Sequence, residues 1–179
     1  MAKIGLYYGS NEGNTAIAAD MIKEEFDKIE PGLVEVHNIA DASLEEIAAW
    51  DYIIFGISTW DIGQLQDDWA AFLPHMDDLD LSGRKVAIFG LGDQYGYPDT
   101  YLDAAGVLAD KVLERGGDLY GLWSAEGYEF TGSRAAIEDH LLALGLDNDN
   151  EGEKHKERIE KWVRILAFAW GLSEEARAA

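Results

Sequence analysis

The sequence predicts an α/β domain built on a doubly wound, five-stranded parallel sheet with helices on both faces. Three observations carry that prediction. Strand-like and helix-like segments alternate five times along the chain, the pattern of parallel strands joined by crossover helices. Tyr52-Ile53-Ile54-Phe55-Gly56 is an unbroken apolar run, as expected of a central strand buried on both faces. The segments after the first, third and fourth strands are rich in small and aromatic residues. In an open parallel sheet, ligands bind beyond the carboxyl ends of the strands, where those segments emerge.

The elements follow in order. Lys3 to Tyr8 reads as a short apolar strand ending in the turn Gly9-Ser10-Asn11-Glu12-Gly13. From about Asn14, the residues Ile17, Met21, Ile22, Phe26 and Ile29 recur at helical spacing and predict one apolar face. Pro31-Gly32 stops that helix, and Leu33 to Ile39 reads as the second strand. Ser43-Leu44-Glu45-Glu46 is a capping-box pattern opening a short helix to about Trp50. The third strand, Tyr52 to Gly56, leads to a helix near Gln66 to Leu73. Lys85 to Gly90 is the fourth strand, and a helix is expected from about Asp99 to Arg115, ended by Gly116-Gly117. Asp118 to Trp123 begins the fifth strand. Residues from about Ser124 to His140 read as an excursion, or insertion, before the apolar Leu141 to Leu144. The last helix spans about Lys154 to Trp170, with Ile159, Trp162, Val163, Leu166 and Trp170 facing inward. Without an internal repeat, low-complexity linker or second composition regime, residues 1–179 are expected to form one domain.

Composition narrows the function classes. The chain has no cysteine, which removes disulfides, thiolate metal sites and iron–sulfur ligation. It carries 35 acidic against 14 basic residues, a formal net charge of -21. Such a surface repels nucleic acid and anionic membranes and attracts a basic protein partner; general solubility or adaptation to high salt is the competing account of the same charge. With no export signal and no apolar run long enough to span a bilayer, a cytoplasmic protein without membrane insertion is expected.

The loops point to chemistry. Ser10-Asn11-Glu12-Gly13-Asn14-Thr15 runs into a helix. Backbone N–H groups at a helix start lack partners and sit at the positive end of the dipole, so they suit a phosphate. Ser10 and Thr15 add hydroxyls and Gly13 permits close approach; an ordinary capped turn would use the same residues. Trp60 stands in the second loop, and Tyr95 and Tyr97 among glycines in the third. Aromatics at a ligand edge can stack on a planar ring, or fold back onto the core. Together the three loops describe a site for a flat ring with a phosphate tail.

Over nearly its whole length the chain resembles the flavodoxin family, specifically its long-chain branch. Gly9 to Thr15 resembles the family's phosphate loop. Ser58-Thr59-Trp60-Asp61-Ile62-Gly63 and Gly90-Leu91-Gly92-Asp93-Gln94-Tyr95-Gly96-Tyr97 resemble its loops over the two flavin faces. Trp123 to Tyr128 and Leu146-Asp147-Asn148-Asp149-Asn150 resemble patterns in and just beyond the long-chain insertion. The resemblance implies a flavodoxin-like sheet of order 2-1-3-4-5 with an insertion in the fifth strand. It implies one bound flavin mononucleotide (FMN) and low-potential one-electron shuttling on the semiquinone/hydroquinone couple. Ser10, Thr15 and the backbone of residues 11 to 15, that is Asn11, Glu12, Gly13, Asn14 and Thr15, would hold the phosphate. Trp60 and Tyr97 would sandwich the ring, with Ser58, Leu91, Gly92, Tyr95 and Gly96 in the loops around it. Thr59, Asp93 and Asp149 would contact the ribityl chain or ring edge, and the peptide joining Asp61 to Ile62 would face flavin N5. The implied partners are basic-faced redox proteins, namely a flavoprotein reductase and acceptors of the photosystem I or nitrogenase type, met by a monomer.

The sequence departs from that family pattern at four positions. Glu12 stands where a hydroxyl residue is usual; it must point to solvent or reorient, and weaker FMN affinity is expected. Asn14 replaces a common lysine, Asp61 adds a carboxylate near the ring, and Ser58 replaces a frequent proline. The four histidines form no metal-type pair at helical spacing, and no metal site is expected. Asp147-Asn148-Asp149-Asn150 is calcium-like in composition, but the resemblance makes it a flavin-edge loop. The competing functions are an FMN-dependent quinone reductase, which needs an open slot above the ring, and a partner-binding module that has lost FMN through Glu12.

Overall fold

The computed structural model describes residues 2–173. Its sheet is assembled from β1 (Ile4–Tyr8), β2 (Val34–Asn38), β3 (Tyr52–Trp60), β5 (Lys85–Leu91), β6 (Asp118–Tyr120) and β10 (Leu144–Leu146), with β4 (Gln64–Leu65) folded back on β3. The order is β2-β1-β3-β5-β10, and β6 also pairs with β5. These pairings are parallel except β3 with β4. Crossovers run through α1 (Asn14–Asp27), α2 (Leu44–Ala48), α3 (Asp67–Phe72) and α4 (Asp103–Glu114). The short α5 (Asn148–Glu151) and the long α6 (His155–Ala169) close the chain.

The fifth strand is split, which gives the expected insertion a physical form. Lys85 to Ala87 pair with Asp118 to Tyr120, and Phe89 to Leu91 pair with Leu144 to Leu146. Gly121, at φ 76, turns the chain off the sheet after only three residues. The expected strand to Trp123 therefore ends early. Trp123 and Ser124 instead form β7 of a small antiparallel sheet with β8 (Ala136–Ile137) and β9 (His140–Leu141).

Alternation along the central strands sorts side chains to the two faces. Ile53, Phe55 and Ile57 of β3 and Val86 and Ile88 of β5 pack with α3 and α4, around Trp69, Tyr101 and Leu108. Ile54, Ala87 and Phe89 point the other way, onto α1 and α6, where Ile22, Phe26, Trp162 and Leu166 close the layer. All these residues are fully buried, and each large apolar side chain removed from water contributes about 1.5–3 kcal/mol before entropy is charged. The inward face of α6 is the one its spacing predicts: Ile159, Trp162, Val163, Leu166 and Trp170 are all buried.

Two local expectations are corrected. Ile17 is 60% exposed, while Ala18 and Ala19 are buried. Apolar spacing alone set the phase of α1 too far round; the sheet accepts small residues there. The helix expected from Asp99 begins at Asp103, because Leu102 adopts a left-handed conformation at φ 58. The Pro98 carbonyl just before it accepts the N–H groups of Thr131 and Gly132, tying that turn to the insertion.

Candidate functional site

The sheet reverses direction between β1 and β3: from β1 the chain proceeds outward to β2, then returns to the other side. The loops after β1, β3 and β5 converge at their carboxyl ends around one open cleft of about 200 Å³. The β1 loop and the start of α1 contribute Ser10, Asn11, Glu12, Asn14 and Thr15; the end of β3, which runs on through Trp60 where a loop was expected, and its turn contribute Ser58, Thr59, Trp60 and Asp61; the end of β5 and its loop contribute Leu91, Gly92, Asp93 and Tyr97; and α5 adds Asn148 and Asp149. Fourteen of these fifteen are residues singled out from the sequence, the exception being Asn148. Gly13, Ile62, Tyr95 and Gly96 lie in the same loops but not on the cleft wall, and Ile62 and Tyr95 are exposed.

Each loop is held by specific bonds. Gly13, at φ 91, is the N-cap of α1 and makes no side-chain cap bond. Its own N–H donates to Ser10 Oγ at 2.8 Å, which folds the loop over the helix start. The positive end of a 14-residue helix thus opens on the cleft. Asn11 is tied sideways: its amide donates to Asp67 and its carbonyl accepts from buried Gln66. The indole of Trp60 donates to Ser58 Oγ at 2.8 Å, which orients the ring. The chain then turns through Asp61, at φ 47, and Gly63, at φ 97, into β4. Thr59 Oγ1 accepts the N–H of Ala104 at 3.0 Å and so caps α4.

The third loop is braced by a buried polar network that sequence reasoning missed. Gln94 is fully buried. Its backbone and side-chain N–H groups donate to Asp147 at 3.1 and 2.9 Å, and its amide also donates to Glu151. Its carbonyl accepts from Glu129 at 2.7 Å. Glu151 in turn takes Lys154 and Arg158, and Arg158 lies 4.3 Å over the Tyr128 ring. Burial pushes the Glu151 carboxyl up, but the donors Lys154, Gln94 and Arg158 together hold it below its ordinary value. The only sequence signal was a polar residue between Asp93 and Tyr95; nothing local marks it as buried.

Four carboxylates, those of Glu12, Asp61, Asp93 and Asp149, line the cleft, and among the described residues no lysine or arginine does. Burial raises the Asp93 carboxyl, but donors from Gly96, Asn150 and Tyr95 outweigh it and leave its pKa lowered. Asp149 has no such help. Burial, then the charges of Asp93, Asp147 and Glu12, hold its pKa up. Oxygens of Asp93, Asp147 and Asp149 lie within 4.8 Å of one another; those of Asp147 are engaged by Gln94 and Asn150.

A doubly wound parallel sheet with an uncapped helix start and two half-exposed aromatics at its point of reversal defines the mononucleotide-binding α/β class. Within that class the assignment is specific. The family model for flavodoxin matches residues 6–162, and the chain belongs to the flavodoxin family. It is 40% identical to a flavodoxin of Nostoc sp. over 95% of this chain and 98% of that one. It is 42% identical to the flavodoxin of Trichodesmium erythraeum over 96% of this chain and all of that one. Flavodoxin 2 of Escherichia coli is 44% identical over 91% and 94% of the two chains. Among solved structures, Fusobacterium nucleatum flavodoxin bound to flavin mononucleotide superposes with a TM-score of 0.85 at 23% identity, over 94% of this chain and 99% of that one. Oxidised Flavodoxin 2 from Bacillus cereus gives 0.71 at 27% identity, over 95% and 99%.

Proposed function

We infer that this chain is an electron carrier that binds one FMN in the cleft and passes electrons singly between redox proteins, residues 1–179 acting as one domain. The observation that carries the reading is the pairing, in one cleft, of the uncapped α1 start with Trp60 and Tyr97. The cradle fits the group. Phosphate needs N–H donors and a positive dipole end, and a flat ring needs aromatic walls. When bound, FMN supplies a ring that accepts and releases electrons, and the protein tunes it.

The chain's own residues then divide the work. The first N–H groups of α1 and the hydroxyls of Ser10 and Thr15 hold the phosphate; Ser10 Oγ already accepts from Gly13, so its hydrogen is left to donate. Trp60, fixed by Ser58, and Tyr97 exclude water from the two ring faces. Asp93 acts as a positioning residue, its carboxylate gathering the N–H groups of Tyr95 and Gly96 and the Asn150 amide. The surrounding carboxylates and apolar walls disfavour added negative charge on the ring, which sets a low potential. The partners are basic-faced proteins, a flavoprotein reductase upstream and an acceptor of the photosystem I or nitrogenase type downstream, met by a monomer at its acidic cleft rim. Among the described residues, no helix is long and apolar enough to cross a membrane.

Titration of the purified chain with FMN tests the reading. Flavin fluorescence should quench to an endpoint of one FMN per chain, and potentiometry should resolve two separate one-electron steps. Failure to bind, or a single two-electron step with turnover of a quinone, would overturn it.

A further inference from the structure

The cleft is poorly matched in charge to the ligand proposed for it. Among the described residues, four of its fifteen lining residues are carboxylic acids and none is a cation, in a chain of net charge -21. FMN carries a phosphate monoester with about -1.5 to -2 charges at neutral pH, its second pKa near 6. Glu12 sits in the loop that leads into the α1 start, one residue before the N-cap. Asp149 faces the same cleft from α5. The two are close enough for the Glu12 charge to act on Asp149.

We propose that Glu12 and Asp149 make FMN loading proton-coupled and hold the affinity for FMN close to that for riboflavin, which lacks the phosphate. The inference rests on the FMN reading above. Two carboxylates and a dianionic phosphate in one cleft repel one another, since like charges at contact range outweigh the helix-end attraction. One proton taken up with the ligand, on a phosphate oxygen or on a carboxylate, removes one of those charges. The other carboxylates whose charges reach Asp149 act in the same direction, Asp93 from the β5 loop and Asp147 after β10; Asp61 and Tyr97 also line the cleft, and neither brings a positive charge. Lys154 and Arg158 are engaged by Glu151 on the far side of the Gln94 network. Burial, reinforced by Asp93, Asp147 and Glu12, holds the Asp149 carboxyl above its usual value. A phosphate site built from cations would favour the dianion and lose affinity on acidification. This cleft reverses the sign.

The test measures dissociation constants of FMN and riboflavin by flavin fluorescence at about pH 8, well above the phosphate's second pKa, and at about pH 6, close to it. It uses the full chain, Glu12→Gln and Asp149→Asn, at one ionic strength, with circular dichroism to verify folding. The expected result is a preference for FMN over riboflavin that rises about tenfold on acidification, toward the limit of tenfold per pH unit for one proton. Glu12→Gln should raise that preference at the higher pH by about tenfold or more and flatten its pH dependence. Asp149→Asn should do the same more weakly, and serves if the first variant does not fold. A wild-type preference that is flat or falls toward low pH, or a ratio unchanged in both folded variants, overturns the proposal while leaving FMN binding intact. A folded wild-type chain that binds neither flavin overturns the FMN reading and this inference with it.

Discussion

The buried carboxylate of Asp147 receives both N–H groups of Gln94, backbone at 3.1 Å and side chain at 2.9 Å, across 53 positions of sequence. That contact locks the β5 loop to the segment that re-enters the sheet after the insertion. Asp147→Ala would take the acceptor from the buried Gln94 backbone N–H, while the Gln94 amide keeps Glu151 and the Asn150 amide keeps Asp93. A loss of about 2–4 kcal/mol is expected, in the range of a buried donor orphaned from a charged partner. Urea unfolding checks it, and a loss under ~0.5 kcal/mol would show that the network is incidental.

Gly56 lies on β3 where the ring of Phe89 crosses: a Cβ there would stand 2.1 Å from the Phe89 ring. Since Phe89 is fully buried, it cannot swing into solvent. Gly56→Ala should destabilise by about 1–3 kcal/mol, the usual cost of overpacking. Gly13→Ala meets no neighbour within 4 Å and suffers only its positive φ of 91, so a smaller loss of about 1 kcal/mol is expected. The two melting curves, compared directly, separate collision from backbone strain.

Trp60→Ala and Tyr97→Ala should each weaken FMN binding by about 1–3 kcal/mol, the scale of losing one aromatic platform under a stacked base. Flavin fluorescence should recover in parallel as the ring loses its quencher. If either variant binds and quenches like the parent, that side chain does not flank the ring.

His155 is buried, and its Nε2 accepts the N–H of Asp147 at 3.0 Å, so it is neutral in the fold. Burial is the main cause that lowers its pKa below 6.5. The unfolded chain therefore binds more protons here than the folded one. This contribution to stability is present above pH 6.5 and is lost as pH falls through the lower folded value. Thermal melts of the full chain should show a decline on acidification below that point that is reduced in His155→Gln. An unchanged slope would assign the acid lability elsewhere.

With a net charge of -21, encounter with a basic redox partner should slow steeply as salt rises, because exposed charges are screened over about 8 Å at physiological ionic strength. Stopped-flow association rates across a salt series measure it, and a flat series would remove steering from the account.

Much of this protein was written locally. The apolar run at Tyr52–Gly56, the helical spacing in α6 and the alternation of elements determined the layered sheet, because each depends on residues a turn or a pleat apart. Ser10, Thr15, Trp60 and Tyr97 were legible as residues of one cleft for the same reason: glycine-rich turns after strands fall at one edge of any parallel sheet. Three-dimensional closure decided the rest. Gln94, Asp147 and Glu151 read as ordinary polar loop residues until residues far apart in sequence meet in one buried network. Leu102 delays the start of its helix to Asp103, beside a turn that the insertion grips from residues 131–132, and Thr59 turns its hydroxyl oxygen to the start of α4. Burial and hydrogen-bond partnership are properties of pairs distant in sequence, and they exist only once the chain has folded.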